Sequence, residues 1–244
     1  MIHISIATLV QHLLFLFLAV VAPAWDYRDT RRLKQSPSSA GKIRYYKTLA
    51  AWLWIASLVA CLSVGFRPLV TISPAPGDIS WLLEHAWVRY LVEAVIALIL
   101  TVLVLMPAGI VLWKKLKKQP RKYSSADALK SFSYFFPATW TERRWFAFLC
   151  ITAGICEETL YRGFLLHYLH FFPCTLGLTL ALLVSSVIFG LGHLYGGVGG
   201  VVGSVLVGFL LGLLFLLTES LLLPMLLHAL FDVSKLLQLR PPSD

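Results

Sequence analysis

Long apolar runs separated by short polar stretches dominate the pattern of the chain. A run of about 20 mostly apolar residues is long enough to cross the hydrocarbon core of a bilayer. Such runs lie near 4–24, 48–66, 90–113, 145–172, 175–193, 198–217 and 220–238. No soluble domain fits between them, and no internal repeat is visible. The pattern therefore predicts an all-α fold, a polytopic membrane bundle of about seven to eight transmembrane helices.

Composition and charge refine this picture. The 244 residues are 58% hydrophobic and 14% charged, so the apolar share exceeds that of ordinary soluble domains. Seven of the 21 Lys and Arg residues lie in 26–47 and nine lie in 114–144, whereas 67–89 holds two. Basic segments beside spans stay in the cytoplasm. We therefore expect an integral protein of a bacterial inner membrane, with the N-terminus outside and the C-terminus, near Lys235, inside.

The net charge of +9 has a simple explanation in this setting. Anionic lipid headgroups attract basic segments that flank membrane spans. Nucleic acid is therefore not an expected partner, and the lipid bilayer is.

The segment GICEETLYRGF, residues 154–164, places three charges inside an apolar run. Each charged side chain at the centre of a bilayer costs about 2.5–3.5 kcal/mol on insertion scales. Glu158 precedes Arg162 by four residues, the favourable spacing for an ion pair on a helix. Glu157 points about 100° away from Glu158, so we expect it to find a partner on another helix.

Other ionisable residues in the apolar runs offer such partners. His193 closes the fifth run, in Phe189-Gly-Leu-Gly-His193, and His228 and Asp232 lie one helical turn apart in the last run. Polar side chains that would be costly against lipid gather in a shared, hydrated cavity. The sequence therefore predicts one intramembrane cluster, made of Glu157, Glu158, Arg162, His193, His228 and Asp232.

These residues also carry a resemblance to a known family. Glu157-Glu158-x-x-x-Arg162, Phe189-x-x-x-His193 and His228-x-x-x-Asp232 resemble, in order and spacing, the three motifs of the CAAX protease and bacteriocin-processing (CPBP, or Abi) family. That family comprises glutamate-type intramembrane proteases and includes the type II CAAX prenyl endopeptidases. The resemblance divides the chain into N-terminal helices with two basic cytoplasmic loops, 1–138, and a protease-like catalytic core, 139–238.

The resemblance implies a role for each motif residue. Glu157 and His193 would activate a water that attacks the peptide bond, and His228 and Asp232 would stabilise the oxyanion. Glu158, Arg162 and Phe189 would support them, with no metal or cofactor, and a peptide or protein substrate would arrive from the membrane or the cytoplasmic side. Members that process prenylated proteins carry Asn at the position of Asp232. A carboxylate there repels an oxyanion unless it is protonated or only orients His228.

Three alternatives remain open at the level of sequence. Two histidines with several carboxylates could bind Zn²⁺ in a membrane metalloprotease, although the chain has no HExxH motif and Arg162 would compete with the cation. A non-catalytic immunity or scaffold protein could use the same polar cluster to hold its helices together. A proton-coupled transporter would be favoured by inverted repeats, and none is visible.

Overall fold

The computed structural model describes residues 5–71, 85–98, 101, 109, 133–171 and 175–239. Every regular element within these ranges is a helix, which confirms the predicted all-α class. The bounds of the helices are α1, Ile6–Gln35; α2, Ser39–Val64; α3, Phe66–Val70; α4, 86–98; α5, Trp140 to His170; α6, Leu178–Leu191; α7, Gly197–Thr218; and α8, Leu222–Gln238. Helix α5 contains a π-helical segment, Glu158–Leu165, and a short 3₁₀ turn, Leu194–Gly196, precedes α7.

The first two helices are longer than predicted, and the prediction of a loop over 26–47 is wrong. Helix α1 continues to Gln35 and α2 begins at Ser39, so only 36–38 connect them. Pro23 lacks the backbone N–H that would bond to the preceding turn of the helix. A π-helical segment, Phe17–Val21, lies just before it, and this locally widened turn lets α1 continue through the proline. The side chain of Ser38 then accepts a hydrogen bond from the Gly41 amide and caps α2.

Three helices in the described part of the chain are long and apolar enough to cross a membrane: α1, α2 and the segment Leu194–Thr218 that includes α7. Helix α6 is a shorter apolar helix. Large apolar side chains such as Leu62, Val198 and Leu222 are 75–82% exposed, as expected for surfaces that face lipid. The protein is therefore an integral membrane protein. The third predicted span, 90–113, lies largely outside the described residues.

Helix α5 lies at the centre of the bundle and approaches its neighbours closely at two glycines. A Cβ atom at Gly154 would lie 2.7 Å from the backbone nitrogen of Ala229 on α8. A Cβ atom at Gly163 would lie 2.6 Å from the carbonyl oxygen of Leu69 on α3. Both positions require glycine because real Cβ atoms do not approach other atoms so closely. The contact at Gly154 brings the charged turn of α5 beside α8.

Several element ends meet at one end of the bundle. Lys42 Nζ donates a hydrogen bond to the Phe136 carbonyl (2.7 Å), which ties the start of α2 to the segment before α5. Phe135 of that segment stacks on Tyr195, in the connection between α6 and α7. Under the orientation predicted from the basic residues, this end faces the cytoplasm.

Candidate active site

Glu158 connects two of the three motifs. Its side chain is fully buried, and its Oε1 accepts hydrogen bonds from Arg162 Nη1 (2.8 Å) and His228 Nδ1 (2.7 Å). The ion pair expected from the i, i+4 spacing is therefore present, although the residues lie in a π segment. The contact with His228 places a proton on Nδ1 of that ring, because a carboxylate only accepts hydrogen bonds.

Arg162 and Phe189 support Glu158 and His228 through further contacts. The second terminal nitrogen of Arg162, Nη2, donates to the Gly208 carbonyl (3.1 Å) on α7. Its guanidinium lies 4.3 Å from the centre of the Phe189 ring. Phe189 also meets the His228 ring edge to face, with the centroids 5.9 Å apart. Phe189 thus lies in contact with both Arg162 and His228 and limits the movement of each.

Two further carboxylates flank the other nitrogen of His228. Glu157 Oε2 lies 3.8 Å and Asp232 Oδ2 lies 3.6 Å from His228 Nε2. Both distances exceed a direct hydrogen bond, so the carboxylates attract a charged ring without fixing it. The partner that Glu157 required on another helix is therefore His228.

Asp232 has a closer partner that the sequence reasoning missed. Lys235 Nζ donates to Asp232 Oδ1 at 2.7 Å, three residues further along α8. From the sequence alone, Lys235 is only a basic residue near the C-terminus, which is expected in the cytoplasm. The spacing of three residues between Asp232 and Lys235 was the signal in the sequence that could have predicted this ion pair.

His193 lies in the turn after α6, because that helix ends at Leu191 rather than extending to residue 193 as predicted. Its Nδ1 is 3.0 Å from the Phe189 carbonyl oxygen, so Nδ1 donates and Nε2 remains available as an acceptor. Within the described ranges, His193 forms no hydrogen bond or ion pair with Glu157 or His228. It instead lines a cavity together with Glu157 and Asp232, whereas Glu158, Arg162 and His228 are buried and do not line that cavity.

That cavity has a volume of about 140 Å³, enough for several water molecules. The motif regions contribute four of its ionisable lining residues: Glu157, His193, Asp232 and Lys235. Much of the remaining wall comes from outside the motifs and includes Phe17, Asp26, Tyr45, Trp52 and Tyr195. These residues were not predicted from the sequence, since Asp26 and Tyr45 lie in a stretch interpreted as a basic loop. Glu157 and Asp232 keep 16% and 19% of their side-chain surface exposed.

The described residues do not include a group of three or more His, Cys, Asp or Glu side chains placed to hold a metal ion. The surroundings of the two ring nitrogens of His228 are an example. Its Nδ1 is engaged by Glu158, and the two carboxylates near Nε2 stand 3.6 and 3.8 Å from it.

Comparison with known proteins gave one family match. Residues 139–234, less than half of the chain, match the family model described as "Type II CAAX prenyl endopeptidase Rce1-like". No curated protein and no solved structure matches the chain significantly. The matched segment contains all three motifs and begins at Thr139, the N-cap of α5. Residues 139–234 therefore match the Rce1-like CAAX protease family, and this match confirms the resemblance that the three motifs predicted.

Proposed function

We propose that this protein is an intramembrane endopeptidase in which Glu157 and His193 activate the attacking water. The family match and the apolar helices support the coarser assignment, a CAAX-protease-like membrane protease. One observation carries the finer proposal: Glu157 and His193, from separate elements, line one water-sized cavity within the helical bundle. Neither side chain is neutralised by a direct hydrogen bond to the other.

The arrangement supports general-base attack by water. The Phe189 carbonyl holds the proton on His193 Nδ1, so Nε2 orients a water as a hydrogen-bond acceptor. Glu157 takes the proton of that water as its oxygen attacks the carbonyl carbon of the substrate. The C–N bond of the tetrahedral intermediate then breaks, and the departing amine receives the proton from Glu157.

The oxyanion is stabilised from α8. Since His228 Nδ1 donates to Glu158, the donor available to the oxyanion is Nε2–H of the protonated ring. Glu158 fixes the orientation of the imidazole and, together with Glu157, compensates its charge. A donor held in place in a water-poor site stabilises the developing negative charge strongly.

The same geometry favours an enzyme over an immunity or scaffold protein. A polar cluster that only joins helices needs each charge paired and enclosed, as Glu158 and Arg162 are. Glu157 and Asp232 instead remain partly exposed to a cavity. A cavity of this kind has a use in hydrolysis, because it admits water to the base.

Glu157→Gln and His193→Ala test the proposal in purified protein reconstituted in liposomes. We expect each to lower peptide hydrolysis about 100-fold or more, the usual contribution of general acid–base catalysis, with unchanged thermal stability. The probe is a mixed peptide library, prenylated and unprenylated, with products identified by mass spectrometry. Glu219→Gln, at a half-exposed glutamate that does not line the cavity, is the matched control.

Two outcomes would contradict the proposal. Hydrolysis that survives both substitutions would leave the scaffold or immunity alternative. Hydrolysis that a strong chelator abolishes and added Zn²⁺ restores would indicate the metalloprotease alternative.

A further inference from the structure

Asp232 poses an electrostatic problem for the proposed reaction. Its Oδ2 lies 3.6 Å from His228 Nε2, the atom that would donate to the oxyanion. An unneutralised carboxylate at this distance opposes the growth of negative charge on the substrate oxygen. A chain that hydrolyses peptides with this residue must therefore compensate its charge.

Lys235 is placed to provide that compensation. Its ammonium donates to Asp232 Oδ1 at 2.7 Å, so Oδ1 is engaged while Oδ2 faces His228. The side chain lines the same cavity as Glu157 and His193. Among the described residues that line this cavity, Lys235 is the one lysine or arginine, against the three carboxylates of Asp26, Glu157 and Asp232.

The position of the ammonium is fixed from two sides. The hydrogen bond to Asp232 spans one turn of α8, and Nζ lies 4.8 Å from the centre of the Phe231 ring. The side chain is 36% exposed, so it is neither free in water nor sealed in the core. An ammonium carries three N–H groups, and the bond to Asp232 uses one of them.

We propose that Lys235 is a positioning residue that neutralises Asp232 beside the oxyanion site. The Asp232–Lys235 pair then carries no net charge, like the side-chain amide of an asparagine. The proposal rests on the proposed function, because it assigns Lys235 a part in the same reaction. It also accounts for an aspartate at a position where the prenyl-processing members of the family carry asparagine.

A double-mutant cycle tests this proposal. Lys235→Met is expected to lower kcat about tenfold or more and to leave KM within about twofold, because the compensated charge develops in the transition state. In an Asp232→Asn background, the same Lys235→Met change is expected to lower kcat less than about threefold, because no carboxylate remains to be neutralised. Lys235→Arg should retain most of the activity of the native chain.

The matched control is Lys47→Met. Lys47 also lies over an aromatic ring, 4.3 Å from the centre of Trp145, but it does not line the cavity. Equal losses from Lys235→Met in the two backgrounds would overturn the proposal, and so would a loss explained by lower thermal stability alone. Failure of the proposed function is distinct, because it would appear as full activity in Glu157→Gln.

Discussion

Two adjacent glutamates occupy different environments in this protein. Glu157 faces the cavity, whereas Glu158 is fully buried between Arg162 and His228. Helical periodicity was enough to separate the two glutamates and to pair Glu158 with Arg162. It could not predict the hydrogen bond between Glu158 and His228, because that contact depends on how α8 packs against α5 rather than on any local spacing.

This difference predicts unequal effects of substitution on stability. Glu158→Gln removes the anion that compensates Arg162 and His228, and breaking a buried ion pair costs about 3–5 kcal/mol. We expect a clear loss in the free energy of unfolding, measured by denaturation in detergent micelles. Glu157→Gln should cost little, because a neutral amide is easier to hold in the membrane than a carboxylate. Similar losses in the two variants would contradict the assignment.

The helices themselves were predicted with uneven success. The later ones agree with the apolar runs within a few residues, since their ends coincide with glycines and polar residues that interrupt the apolar pattern. Helix α1 extends beyond its apolar run because charged side chains after Trp25 are compatible with a helix once it leaves the apolar layer. The π segment of α5 has no signature in hydrophobic periodicity, because a locally widened turn is decided by packing.

The close approach of α5 to α8 yields a prediction for these two elements. In Gly154→Ala, the added methyl group would meet the backbone of Ala229, so the helices must separate. Glu157 and Glu158 would then move away from His228, and we expect activity to fall about tenfold or more while the membrane fold persists. Peptide hydrolysis by reconstituted protein measures the effect. Gly203→Ala is the control, because a Cβ atom at Gly203 meets nothing within 4 Å; equal activity in both variants would contradict the prediction.

For the whole molecule, the sequence predicted the all-α fold class and the grouping of the motif residues, but it did not predict the walls of the cavity beside them. The motifs are read from short, local spacings, and the structure brings one residue of each motif, namely Glu157, His193 and Asp232, to one cavity. The contribution of Asp26, Tyr45 and Trp52 could not be read in this way. These residues lie more than 100 positions before the first motif, and only the packed bundle brings them to the cavity wall.

The arrangement of the helix ends predicts the orientation of the protein. The connection 36–38 should lie in the cytoplasm with the start of α5, and Thr71, beyond the far end of α2, should lie outside. In a cysteine-free chain within intact bacterial cells, a membrane-impermeant maleimide should label Thr71→Cys. It should label Ser38→Cys only after the membrane is opened. A periplasmic signal from a reporter fused after Gln119, which lies outside the described residues, would contradict this orientation.

The cavity wall is divided along the chain, and this division has an evolutionary consequence. Glu157 and His193 come from the family-matched segment, whereas Phe17 and Trp52 come from helices that the family model does not cover. Substitutions in α1 or α2 can reshape the cavity while the residues that we propose to hold the water stay in place. Descendants of this chain can therefore acquire new substrates through their N-terminal helices and inherit the proposed hydrolytic chemistry unchanged.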